Sequence, residues 1–116
     1  MKLHYFPTPA ATNTLSTEQL RETFLIGGLF QPGTVTAHYT DLDRMIVGAA
    51  LPTTAPLGLP SAKETGTAFF LERREIGVLN VGAPGAVKVG GTKYDLGTLD
   101  CLYIGLGEKD VSFEPG

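Results

Sequence analysis

The sequence predicts a mainly all-β fold, an antiparallel β-sandwich or barrel with one short N-terminal helix. Three observations point there. The 15 glycines and 8 prolines among 116 residues are spread along the chain rather than massed in a linker, as short strands joined by turns require. From Thr34 onward, β-branched and aromatic runs fill the stretches between them, and these residue types suit a pleated, half-buried surface. Between Val87 and Tyr94 a Gly90-Gly91 pair separates two alternating segments, and two-residue hairpin loops favour residues that accept positive φ.

Local chemistry justifies each element in turn. Ser16 is placed to cap a helix, with Gln19 three residues on as in a capping box and Leu20 and Phe24 at i, i+4 spacing. The region 14–27 therefore reads as one short helix ended by Gly27-Gly28. Strands are expected at Val35–Tyr39, Arg44–Leu51, Thr67–Leu71, Ile76–Val81, Ala86–Val89, Cys101–Ile104 and Val111–Phe113, which spreads β structure across 34–113. The stretch 51–60 carries Pro52, Pro56 and Pro60, too many missing donors for a central strand, and is expected to be an exposed connection. At this length 1–116 reads as a single domain with room for one core.

Composition narrows the function. Nine Lys+Arg against 12 Asp+Glu give a net charge of −3, so no positive excess exists to neutralise a phosphate backbone, and nucleic acid is not an expected partner. No apolar stretch approaches the ~18 residues of a spanning helix. The N-terminus, Met1-Lys2-Leu3-His4-Tyr5-Phe6-Pro7, lacks the apolar run of a secretory signal. A lone cysteine, Cys101, allows no disulfide framework within the chain. A cytoplasmic location is expected.

From Glu75 the order is an acidic residue, an apolar strand, a Gly-containing turn, a Val-x-Val strand and a Gly-Gly turn. Tyr94-Asp95-Leu96-Gly97-Thr98-Leu99-Asp100 and Cys101-Leu102-Tyr103-Ile104-Gly105-Leu106-Gly107 follow. This resembles the core of a cupin, a small jelly-roll barrel. In metal-binding cupins the resemblance implies a His-x-His pair and a Glu in the first motif, with another His after a later Gly-rich turn. Such a donor set leaves positions open on a divalent ion. With Glu75 in the acidic position, the paired histidines would fall near Phe69 and Leu71 and the late one near Asp110; a shift of register to Ile76 finds none either. His4 and His38, the only histidines, precede the motif. The pattern reads as a cupin-like jelly roll without its metal.

Longer words carry a wider resemblance. Thr14-Leu15-Ser16-Thr17-Glu18-Gln19-Leu20-Arg21-Glu22-Thr23-Phe24-Leu25, Asp43-Arg44-Met45-Ile46-Val47-Gly48, Phe70-Leu71-Glu72-Arg73-Arg74-Glu75-Ile76-Gly77-Val78-Leu79-Asn80-Val81-Gly82 and Leu102-Tyr103-Ile104-Gly105-Leu106-Gly107 occur in that order. Together they resemble the N-terminal half of the 5-keto-4-deoxyuronate isomerase family, the 4-deoxy-L-threo-5-hexosulose-uronate ketol-isomerases. The resemblance implies a bacterial, zinc-dependent isomerase of pectin breakdown that interconverts 5-keto-4-deoxyuronate and 3-deoxy-D-glycero-2,5-hexodiulosonate. It further implies two cupin-like halves, a hexamer, and zinc held by three histidines and a glutamate of the C-terminal half. On that reading the chain is an incomplete part of the architecture, with neither a metal ligand nor a catalytic residue of its own. It is expected to act as scaffold and assembly surface, to be inactive alone, and to partner the missing half or further copies of itself.

Individual residues carry two readings each. Glu72-Arg73-Arg74-Glu75 is the most charged run. One of its arginines could pair bidentately with a substrate carboxylate, or the run could be a strand end whose charges pair across the sheet or at a subunit contact, alternation sending Arg73 and Arg74 to opposite faces. On the first reading the chain would be a stand-alone, non-catalytic module that binds an acidic sugar. A complete small metal enzyme built on His4, His38 and aspartates is a third reading, whereas a lone histidine on a strand, such as His38, is normally a hydrogen-bonded structural residue. Asp41 and Asp43 flank Leu42 beside Arg44 and read as a turn with its ion pair. Cys101 reads as a buried small hydrophobe, the glycines from Gly82 to Gly107 as turns rather than a phosphate loop, and Tyr39, Tyr94 and Tyr103 as core or rim residues.

Overall fold

In a computed structural model the chain is described over residues 1–61 and 63–116. Most of its regular structure is strand, paired almost throughout in antiparallel fashion. The chain divides into two units, Met1–Leu29 with Thr36–Ala49, and Phe30–Val35 with Ala50–Gly116.

The first unit opens with β1 (Lys2–His4), followed by α1 (Pro9–Thr12) and α2 (Thr17–Phe24). Ser16 and Gln19 close the expected capping box around α2, each side chain meeting the other's backbone N–H. Strand β2 (Thr34–Thr40) lies between β1 and β3 (Ile46–Leu51). The β1–β2 pair is parallel, with Lys2 opposite His38 and His4 opposite Thr40. A Cβ at Gly48 would come within 2.6 Å of the Thr36 carbonyl, so only glycine lets the backbones approach this closely.

In the second unit, β4 (Leu57–Gly58), β9 (Val111–Glu114), β6 (Gly85–Val89) and β7 (Thr92–Leu96) form one antiparallel sheet in that spatial order. Gly90 (φ 54°) and Gly91 (φ 86°) close the β6–β7 hairpin, the two positive angles that a tight primed turn demands. A separate two-stranded sheet pairs β5 (Ile76–Leu79) with β8 (Cys101–Ile104). The buried apolar side chains among the described residues, Phe70, Leu71, Ala86, Val87, Leu96, Ile104 and Val111, all belong to this unit. No helix of the described residues is long and apolar enough to cross a membrane.

Several expectations are corrected. The segment Thr67–Leu71 is not a strand: the Glu72 N–H bonds back to the Phe69 carbonyl and the Glu72 carboxylate accepts the Ala68 N–H, folding it into a turn. Strand β3 begins at Ile46 rather than Arg44, because Asp43 and Arg44 take positive φ (52° each) in the preceding turn. Strand β5 stops at Leu79 instead of Val81, where Asn80 turns its side chain to the following loop. Helix α2 ends at Phe24, with Leu25 already extended as its cap, not at Gly27. Among the described residues there are two short α-helices instead of one, since Thr8 caps α1 with Pro9 at its first position. The 51–60 connection contributes the edge strand β4, whose two residues pair with β9. Cys101 is exposed, not buried: alternation along β8 turns Leu102 and Ile104 inward and Cys101 and Tyr103 outward.

Candidate functional site

The charged run lies in the irregular segment before β5, so strand alternation does not govern Arg73 and Arg74. Glu72 is half-buried and its carboxylate accepts the Ala68 N–H at 3.1 Å. Glu75 is exposed and accepts the Tyr103 hydroxyl at 2.6 Å. Arg74 is half-buried and engaged within the fold, while Arg73 is exposed. The Glu75 hydrogen bond, then partial burial, then the carboxylate's charge raise the Tyr103 pKa above its ordinary value, so at neutral pH this side chain is a phenol that donates. The contact spans 28 residues. Only the β5–β8 register, with Gly77 opposite Tyr103, brings the two together.

The first unit joins the two histidines that the sequence separates by 34 positions. His4 is buried, with a fractional exposure of 4%, and its Nε2 lies 2.8 Å from His38 Nδ1, one nitrogen donating and the other accepting. The rings stack with centroids 5.1 Å apart. At the same edge Lys2 Nζ donates to the Glu22 carboxylate at 2.9 Å, and this bond lowers the Glu22 pKa. His38 is the hydrogen-bonded structural histidine that its sequence context suggests; its partner, His4, could not be read from the sequence because a parallel strand contact supplies it.

Burial, followed by the nearby charges of His4, Lys2 and the N-terminus, lowers the His38 pKa. The unfolded chain therefore takes up a proton near pH 6.5 that the folded chain resists. The stability cost is absent above the unfolded pKa and grows as pH falls towards the lowered folded value. Thermal unfolding is expected to shift to lower temperature between pH 7.5 and 5.5, and His38→Gln to flatten that slope; an equal slope in the variant would contradict it.

The His4–His38 pair does not have the arrangement of two metal ligands. Two imidazoles sharing a metal at nitrogen distances of about 2.0–2.1 Å both turn lone pairs to the ion, whereas here the facing nitrogens are spent on each other. Among the described residues no three of His, Cys, Asp and Glu are grouped to hold a metal ion. A shallow groove of about 280 Å³ runs beside Pro84, Leu96 and Gly116. Its charged lining side chains, Lys93 and Asp95, are exposed and pair with each other at 3.3 Å.

Fold and side chains thus define a mainly antiparallel β chain in which, among the described residues, no three of His, Cys, Asp and Glu are grouped to hold a metal ion. By sequence the chain is homologous over its full length to the N-terminal half of the 4-deoxy-L-threo-5-hexosulose-uronate ketol-isomerases. It is 67% identical over 117 aligned positions to the protein of that name from Opitutus terrae, covering 100% of this chain and 43% of the relative. The relatives from Halalkalibacterium halodurans and Bacillus subtilis are 44% and 46% identical over 113 positions, each covering 97% of this chain and 41% of the relative. The chain therefore spans about two fifths of the length of the curated relatives it matches. No family model matches it.

Proposed function

We propose that this chain is the N-terminal, cupin-like scaffold region of a cytoplasmic, oligomeric ketol isomerase that interconverts 5-keto-4-deoxyuronate and 3-deoxy-D-glycero-2,5-hexodiulosonate, with zinc held outside it. The 67% identity to a protein named as such an isomerase carries the reading. Ketol isomerisation moves a proton between adjacent carbons and needs charge stabilised on oxygen as the enediol forms. Among the described side chains, His4 is hydrogen-bonded to His38, Glu75 to Tyr103 and Glu72 to backbone, so these three serve contacts within this region. The chemistry is accordingly assigned to the part of the relatives that the chain does not span, and positioning and assembly to this part.

The test is a chimera in which this chain is continued by the Opitutus terrae sequence from the point where the match ends. The chimera is expected to turn over 5-keto-4-deoxyuronate and to carry stoichiometric zinc by elemental analysis, and the 116-residue chain to do neither. Turnover by the isolated chain would overturn the division of labour, and an inactive, folded chimera would overturn the assignment to this reaction.

A further inference from the structure

We propose that the outward face of the β5–β8 sheet, centred on Leu79, Cys101 and Tyr103 with Leu99 at its end, is the docking surface for the polypeptide that the relatives carry beyond the matched stretch. The inference rests on the reading just given and names the surface through which this region meets the rest. In the β5–β8 ladder Gly77 faces Tyr103 and Leu79 faces Cys101 on one side of the sheet, while Ile76 with Ile104 and Val78 with Leu102 occupy the other. The second side turns inward, with Ile104 buried and the other three half-buried. The first lies open: Leu79 is 56% and Tyr103 66% exposed, and Cys101 is exposed as well. Neither strand carries a charge or alternates apolar with polar residues. Such runs are typical of strands covered on both faces, and a ribbon of only two strands is marginal without cover.

Leu99 adds an independent observation. Its backbone sits in the left-handed region at φ 68°, where a side chain with a Cβ is disfavoured and glycine is not. Yet its side chain is 71% exposed. The folding of this chain alone gives no reason for leucine there; a surface that closes over it does.

The occupant follows from length and position. More than half of each relative lies outside the matched N-terminal part. Gly116, from which that polypeptide would continue, lies against the Pro84 carbonyl. Pro84 closes the 80–84 loop, which is bonded to the turn bearing Leu99 through Thr98 Oγ1 to the Gly82 carbonyl (2.7 Å) and through the Leu99 N–H to the Asn80 carbonyl (2.7 Å). The continuing chain thus starts at the 80–84 loop, the same loop that is hydrogen-bonded to the turn bearing Leu99. A covalently joined segment acts at a far higher effective concentration than a second molecule at micromolar levels, which favours it over another copy.

Cys101, the only cysteine of the chain, reports on the face directly. Maleimide labelling of Cys101, followed by peptide mass mapping, is compared between the 116-residue chain and the chimera described above. Labelling is expected to slow by about tenfold or more in the chimera, as for a thiol released only by local opening. In the isolated chain Leu99→Gly should leave the melting temperature unchanged or raised, and in the chimera it should restore part of the lost labelling rate. A chimera that turns over substrate with Cys101 as reactive as in the isolated chain overturns the docking face and leaves the proposed function standing. Protection that instead appears in the isolated chain as its concentration rises, with a dimer in sedimentation, identifies a second copy as occupant and also overturns it. Leu99→Gly lowering the melting temperature of the isolated chain would remove the Leu99 argument. An inactive chimera would count against the proposed function, while its labelling rate still decides the face.

Discussion

Leu71→Ala is expected to destabilise the chain by about 3–4 kcal/mol and to lower its melting temperature by roughly 12–20 °C. Leu71 has 0% exposure, whereas the other buried apolar side chains retain between 3% and 9%. Truncation to alanine removes three carbons from a site with no route for water to fill, so the lost transfer free energy adds to the cost of an unfilled cavity. The core has little to offset that loss. Seven apolar residues make up its buried part among the described residues, and two of them, Ala86 and Val87, are small. Leu71 also anchors irregular chain, since its carbonyl accepts the Gly107 N–H at 2.7 Å and fixes the loop after β8 to the turn before β5. Collapse of the cavity would pull on that bond, which keeps the cost near the middle of the range of about 2–5 kcal/mol for leucine truncations. Leu71→Met keeps the volume and should cost less than about 1.5 kcal/mol. Calorimetric unfolding of the two variants side by side checks the assignment, and equal losses would show that side-chain shape, not cavity formation, dominates.

What was legible in the sequence was whatever short-range chemistry decides. The Ser16–Gln19 capping box and the Gly90-Gly91 hairpin formed where they were read, because each is closed by residues within four positions of one another. Strand β8 matched its expected bounds because Cys101–Ile104 is flanked by turn residues on both sides. Long-range pairing decided the rest. Strand β1 has only three residues and exists through its parallel ladder to β2, which no local pattern announces. The apolar run around Phe69 and Phe70 reads as a strand, yet it buries Phe70 and Leu71 from a turn because Glu72 bonds back to the Ala68 N–H. The same limit applied to the candidate site. The charge of Glu72 to Glu75 was visible, but Tyr103 as the partner of Glu75, and His4 as the partner of His38, depend on strand register. Cys101 was misplaced by a general preference for buried cysteine; one step of alternation, with Leu102 and Ile104 inward, decided against it.

Asn80→Ala is expected to cost about 2–3 kcal/mol and roughly 10–15 °C in melting temperature. The half-buried Asn80 amide stands where three parts of the second unit meet. The two hydrogens of its Nδ2 are shared among three carbonyls, those of Ala83 (2.9 Å), Leu96 (3.0 Å) and Gly97 (3.2 Å), and its Oδ1 accepts the Gly82 N–H at 3.0 Å. One side chain thus holds the end of β5, the loop leading to β6 and the end of β7. Each neutral bond contributes about 1 kcal/mol net, and a carbonyl left without donor or water costs at least as much again. Partial access of water to the site keeps the total below the sum. Asn80→Asp separates donation from shape. It retains the size and the acceptor for Gly82 but turns a charged oxygen on three carbonyl oxygens, so it should be more damaging than alanine at pH 7. Protonation restores one donor, and lowering the pH towards 4 should narrow the gap between the two variants. Thermal melts of both across pH 4–7 check this: an aspartate variant as stable as the parent at pH 7 would mean that the convergence of carbonyls on Asn80 is not what ties these segments together.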